Sequence, residues 1–259
     1  MTGPAEHAPA IALTTDIGEG FGMWTIADDD ALLDLVTSAN IACGFHAGDP
    51  DIMRRTCARA ARNGVAIGAQ VSYRDLAGFG RRYVAVQPDT LTNDLIYQIG
   101  ALDGFARIAG TSVTYVRAHG ALYNVAATDT AHAAALVEAV AKYDPKLPLL
   151  CQVGTETWRL AAEAGLTTIA EAFVDRAYTS GGLLVPRTEA NAMVTDPDAA
   201  AKRAVQMVFA GELTAITGET IAVQAQSLLV HSDTSGAVEI ARATRDALES
   251  AGARLVPQA

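Results

Sequence analysis

The fold this sequence predicts is a single α/β domain, a β/α barrel, with seven parallel strands. Three observations predict it. Short apolar strand-like runs alternate with stretches of 3.6-residue apolar periodicity nearly to the end of the chain. Proline and glycine stand where the helices should start and stop. Polar side chains recur just after the strand-like runs, and in a β/α barrel those strand ends converge on one mouth. An open doubly wound sheet is the alternative arrangement of the same units.

Residues 1–10 lack both a basic start and an apolar stretch, so they read as a disordered lead-in rather than a signal peptide, with one domain over 11–259. The expected strands are residues 11–15, 40–45, 65–71, 113–118, 149–153, 167–174 and 227–231. Between the second and third, Met53, Thr56, Cys57 and Ala60 share one helical face. After the third, Leu95, Ile99, Leu102, Ala106 and Ala109 do the same, and the last helix shows Ala237, Ile240, Ala241, Thr244, Ala247 and Leu248. Asp49-Pro50 and Asp196-Pro197 read as an N-cap followed by proline at the first helical position, and Gly64, Gly165 and Gly211 read as helix stops. Strands joined through helices pair in parallel by right-handed crossovers. No repeat, low-complexity tract or linker divides the 259 residues.

A net charge of −10 argues against nucleic acid, whose binding needs Lys and Arg against phosphates. It does not exclude an anionic small substrate, because a few buried arginines set the local potential. No apolar run approaches the roughly 20 residues that span a bilayer. Cys43, Cys57 and Cys151 are widely spaced and form no CxxC pair, which points to reduced thiols in the cytoplasm.

The polar residues at the strand ends are Asp16, His46, Gln70, His119, Asp175 with Arg176, and His231 with Asp233. Each has a plainer reading. Asp16 stands in Thr14-Thr15-Asp16-Ile17-Gly18-Glu19-Gly20, where the glycines admit a ligand to the backbone or simply make a turn. His46 and His119 could be buried and satisfied by backbone; the adjacent Gly44 and Gly120 favour function. His231 and Asp233 share a face of an extended strand and could form an oriented pair, or Asp233 could cap the next helix. Asp49 reads as a cap, His132 as an ordinary helical residue, and Cys43 as core, since it points away from His46. Arg117 shares a strand face with His119, which makes it a candidate anion anchor alongside Arg176. No GxxxxGK[ST], GxGxxG, HExxH or HxxxH is present, so neither a nucleotide nor a metal is expected on this chain by motif.

Longer strings are specific enough to name a family. Ser38-Ala39-Asn40-Ile41-Ala42-Cys43-Gly44-Phe45-His46-Ala47-Gly48-Asp49, Gly78-Phe79-Gly80-Arg81-Arg82, His119-Gly120-Ala121-Leu122-Tyr123-Asn124, Asp175-Arg176-Ala177-Tyr178 and Leu184-Val185-Pro186-Arg187 resemble the LamB/YcsF family over nearly the whole chain. The resemblance implies a barrel related to the glycoside hydrolase/deacetylase group. It also implies opening of the lactam 5-oxoproline to glutamate, with ATP used by an assembled enzyme that includes partner subunits B and C. Asp16, Glu19, His46, Asp49, His119, Asn124, Asp175, Arg176, Arg187, His231 and Asp233 match the family pattern. Departures fall at the strand ends: Ala12 and Thr14 replace an Asp and an Asn, Gln70-Val71 replaces His-Pro, Arg117-Ala118 replaces Lys-Pro, and Ser232 replaces a Gly.

On this reading the catalytic residues are Asp16, His46, His119 and Asp233: Asp16 or His46 as general base toward water, His119 as acid or oxyanion partner. Gln70, Arg117, Asn124, Arg176, Arg187 and His231 bind substrate, Arg117 or Arg176 holding its carboxylate and Gln70 suited to a lactam's N–H and C=O. No metal is assigned, because a glutamine amide is a poor replacement for imidazole on zinc. Two alternatives stay open: a metal-dependent deacetylase or carbohydrate hydrolase, and a ligand-binding homologue without catalysis.

Overall fold

The computed structural model describes residues 8–258. Seven parallel strands close into a barrel: β1 (Ala10–Ile17), β2 (Ser38–Ala42), β3 (Ala66–Val71), β4 (Val113–Ala118), β5 (Leu149–Cys151), β6 (Thr168–Phe173) and β9 (Ser227–Val230). β9 pairs with both β6 and β1, which completes the ring and rules out the open sheet. Helices α1 (Asp29–Leu33), α2 (Pro50–Asn63), α3 (Pro88–Ile108), α4 (Gly120–Ala126), α5 (Thr130–Tyr143), α6 (Glu156–Glu163), α7 (Pro197–Phe209) and α8 (Ala237–Ser250) surround it. Asp49 and Asp196 cap α2 and α7 as their Asp-Pro pairs predict, each accepting a backbone N–H three residues on. Among the described residues, no helix is long and apolar enough to cross a membrane.

Two cores follow from strand alternation. Outward residues such as Leu13, Ile41, Ile67 and Val116 join the inner faces of the helices in one large apolar shell. Inside the barrel, Tyr115, Leu150 and Ile169 form a separate small plug. Gly68 makes room for it: a Cβ there would stand 2.1 Å from the Tyr115 ring. Above the plug the interior turns polar. Tyr115 donates to Asn40, Asn40 donates to Asp16, and Arg117 lies between Asp16 and Glu171.

Several boundaries differ from the sequence reading. β2 ends at Ala42 instead of running to residue 45, because Gly44 turns the chain at φ +92° and bonds to Ala47 O. A hairpin of β7 (Glu212–Thr214) and β8 (Thr220–Ala222) and a short β10 (Arg254–Leu255) beside β1 are additions. β1 starts at Ala10, inside the expected lead-in, of which residues 1–7 lie outside the described residues. Between β6 and α7 the chain makes no helix, only the isolated bridges Arg176–Met193 and Tyr178–Leu184. That long loop forms one wall of the mouth.

Candidate functional site

A cavity of about 500 Å³ opens at the carboxyl ends of the strands. Asp16, Arg117, His119 and Phe173 form its floor; Asn124, Gln152, Arg176, Arg187 and His231 rise around it. The two sides of this mouth are built differently.

On the β1–β4 side, Glu19, His46, Gln70 and His119 form a buried cluster. The Gln70 amide donates to Glu19 Oε1 at 3.0 Å and to His119 Nδ1 at 3.0 Å, and its oxygen meets His46 Nε2 at 3.1 Å. His119 Nε2 faces the carbonyl of Phe79 at 3.0 Å, and a carbonyl only accepts, so that nitrogen carries the proton. Ser232 donates to the second Glu19 oxygen. Burial, with the proximity of His119 adding to it, pulls the His46 pKa down to about 4, so the ring is neutral at pH 7. Burial would raise the Glu19 pKa, but the adjacent His119 and His46 prevail and hold it well below the ordinary glutamate value. The loop over the cluster is pinned: Gly80 and Gly120 have positive φ, and a Cβ on Gly120 would stand 2.6 Å from Gly80 O.

Glu19, His46 and His119 bring three potential cation ligands within 4.8 Å of one another. Their geometry does not fit an ion. The imidazoles stack with centroids 4.0 Å apart at 15°, so an ion shared by both would lie out of each ring plane, away from the nitrogen lone pairs. The Gln70 carboxamide already fills the space between the three groups. The arrangement is that of a hydrogen-bonded cluster.

On the β6–β9 side, Asp175 is fully buried and takes three donors. His231 Nδ1 lies 3.0 Å from Oδ1, while the His231 backbone N–H and Thr234 hydroxyl bond Oδ2 at 3.0 and 2.7 Å. Burial would raise the Asp175 pKa, but His231 beside it and these bonds hold it below the ordinary carboxylate value. A carboxylate only accepts, so Nδ1 is the nitrogen that carries the proton when His231 is neutral. Among the described residues Nε2 has no protein partner, on a residue that lines the cavity. Phe173 stacks on the ring at 5.5 Å and fixes its plane.

The cavity is rich in guanidinium groups. Arg117 is neutralised twice, by Glu171 at 2.8 Å and Asp16 at 3.2 Å. Asp233 binds Arg81 at 2.7 Å and Arg187 at 3.5 Å. Arg176 is different. It is 4% exposed, donates to Val185 O, has a buried Nε without a partner, and makes no ion pair among the described residues. Burial and the nearby Arg187 pull its pKa down to about 10, which still leaves it charged at pH 7.

The LamB/YcsF family model matches residues 11–259. The chain belongs to the LamB/YcsF family. A relative from Streptomyces coelicolor, named as the A subunit of 5-oxoprolinase, is 56% identical over 242 residues, covering 93% of this chain and 97% of that protein. A Mycobacterium avium protein of the same name is 53% identical over 245 residues, 95% and 97% of the two chains. The crystal structure of the lactam utilization protein from Thermus thermophilus superposes with a TM-score of 0.91 at 42% identity, covering 95% of this chain and 99% of that one.

Within this LamB/YcsF barrel, Asp16, Arg117, His119, Asn124, Arg176, Arg187 and His231 line the cavity. His46 and Gln70 lie behind His119, fully buried. Three expectations need correction. His231 pairs with Asp175 and not with Asp233, whose carboxylate serves Arg81 and Arg187; the cap position of α8 is Gly236. Arg117 is a poor anchor for a substrate carboxylate, because two protein carboxylates already neutralise it. His119 has both ring nitrogens engaged by protein, and His46 lies off the cavity, so neither offers a free nitrogen to a reactant. The glycines beside Asp16 serve the turn: a Cβ on Gly20 would stand 2.5 Å from Trp24 O.

Two residues that organise the site are unassigned by sequence. Glu19 matches the family pattern, yet the glycines around it suggest only a turn. Glu171 lies mid-strand among apolar neighbours, and that was its one available signal: a lone carboxylate inside a strand must meet a partner.

Proposed function

We propose that this chain is the A subunit of an enzyme that opens 5-oxoproline, or a closely related lactam, to glutamate with consumption of ATP. The observation that carries the reading is the pairing of unneutralised Arg176 with a cavity of about 500 Å³, in a chain 56% identical to a protein named as the A subunit of 5-oxoprolinase. A small cyclic amide bearing one carboxylate suits such a site. Arg176, with Arg187 beside it, takes the carboxylate as a charge-assisted fork. The ring rests against Phe173 and Leu184, and the amides of Asn124 and Gln152 are available to the lactam N–H and C=O.

An unactivated lactam is a poor electrophile, so ATP supplies the driving force. The sequence holds no phosphate-loop motif, and we assign that step to partner subunits B and C. We place the assembled enzyme in the cytoplasm, in keeping with three buried free cysteines. The misfit of the Glu19–His46–His119 cluster to an ion weighs against the deacetylase alternative. Co-expression with candidate partners and an ATP-dependent 5-oxoproline assay test the reading. Glutamate formation that needs this chain is the expected result. A complete complex that turns over neither 5-oxoproline nor a closely related lactam would contradict it.

A further inference from the structure

We infer that His231, oriented by Asp175, is the general acid–base of this site, the role that sequence reasoning gave to Asp16, His46 and His119. This inference rests on the proposed lactam-opening function for its substrate, though not for its geometry. A general base must present an unprotonated atom to the reactant, held in place by a partner that does not itself react. Of the candidates, only His231 meets both conditions. His119 gives Nε2–H to Phe79 O, and its Nδ1 lies against Gln70 and Glu19. Asp16 is bound by Asn40 and Arg117. His231 has Nδ1 fixed on Asp175 and Nε2 unpartnered at the cavity wall.

Asp175 is built as an orienting group. It is fully buried, and it grips His231 through both the ring and the backbone N–H, so ring and strand end move together. Thr234 donates a further hydrogen bond to Oδ2 and helps hold the carboxylate against His231. Phe173 holds the ring face.

The hydrolytic step itself draws only on water; ATP is consumed in the activation assigned to the partner subunits. Nε2 takes a proton from water as the water oxygen bonds to the lactam carbonyl carbon, giving a tetrahedral intermediate. The ring C–N bond then breaks, and the His231 imidazolium returns the proton to the departing nitrogen. One water is consumed, and the carboxylic acid and amine that form settle as carboxylate and ammonium. Asp175 stabilises the transient imidazolium and touches no reacting atom; it is a positioning residue.

The test uses ¹⁵N-histidine NMR on the full chain together with kinetics of the assembled complex. In the wild type at neutral pH, the ring coupled to Asp175 should appear as the Nδ1–H tautomer. Asp175→Asn can donate to Nδ1 instead and should switch His231 to Nε2–H. His231→Gln should lower kcat for 5-oxoproline by ~10²–10⁴-fold with KM little changed. A wild-type His231 found as Nε2–H, or a His231→Gln complex with near-wild-type kcat, would overturn the assignment. The tautomer measurement needs no substrate and no variant of His231, so it still decides if 5-oxoproline proves to be the wrong lactam or if the substitution impairs folding.

Discussion

The two sides of the barrel mouth hold similar side chains to opposite ends. On the β1–β4 side, two histidines, a glutamate and a glutamine bond one another under a pinned glycine loop. His119 meets the cavity with both ring nitrogens engaged, and the Nδ1 of His46, unpaired among the described residues, is buried away from it. On the β6–β9 side, one histidine is held by one aspartate and keeps a nitrogen free, next to an arginine without a counter-ion. The difference lies in where the hydrogen bonds go. Closed on themselves they give rigidity; left one short, they give reactivity.

The comparison breaks most visibly at the barrel's central charge. Arg117 is buried between Asp16 and Glu171, so Arg117→Met strands two carboxylates in a medium that disfavours charge. Unfolding in urea should show a loss of about 3–5 kcal/mol, the cost of leaving a buried charge uncompensated. A near-neutral Arg117→Met would mean the triad contributes little and would restore Arg117 as a candidate substrate ligand.

His46 sharpens the contrast by pH. Its folded pKa of about 4 lies below the ordinary histidine value of 6.5, so the unfolded chain takes up the proton first. The contribution from neutral His46 is therefore complete above pH 6.5 and is lost as the pH falls from 6.5 toward 4. Its size is on the order of 3 kcal/mol. Urea titrations at about pH 7 and about pH 4.5, on either side of most of that window, should show the drop, and His46→Gln should flatten it. A slope unchanged by that substitution would place the acid sensitivity elsewhere.

How much of this was legible in sequence depends on how local each signal is. Asp49 and Asp196 read correctly as caps, because the cap, its proline and its N–H partner lie within a few residues. Alternation placed Asp16, Arg117, His119 and His231 at the mouth, whereas His46 and Gln70 lie buried behind His119. The Asp175–His231 pair was not legible, because its members stand 56 positions apart and meet only when β9 closes the ring beside β6. Asp233, two residues from His231, was the nearer partner on paper. The cluster escaped for the same reason: Glu19 and Gln70 are 51 positions apart, and only folding shows that His119 has both ring nitrogens engaged and that the unpaired Nδ1 of His46 is buried off the cavity.

Arg176 carries the expected effect on binding. With no counter-ion among the described residues, its removal should cost a carboxylate ligand about 1.5–3 kcal/mol, the range for a hydrogen bond to a charged group. Calorimetry of 5-oxoproline against Arg176→Ala and against Arg187→Ala should give the larger loss for Arg176, since Arg187 already shares Asp233. The reverse order would move the anchor to Arg187. Smaller still, Asp49→Ala should lower stability by about 1 kcal/mol through loss of a cap and leave kcat unchanged, which marks the boundary between scaffold and site.

The central claim is that chemistry belongs to the open side of the mouth, and a crystal structure of the chain with 5-oxoproline tests it most directly. The account predicts the ligand carboxylate on Arg176 and the lactam carbonyl carbon within reach of a water held by His231 Nε2, with the Glu19–His46–Gln70–His119 bonds unchanged. A ligand carboxylate on Arg117, with the lactam carbonyl against a His119 freed from Gln70, would contradict it.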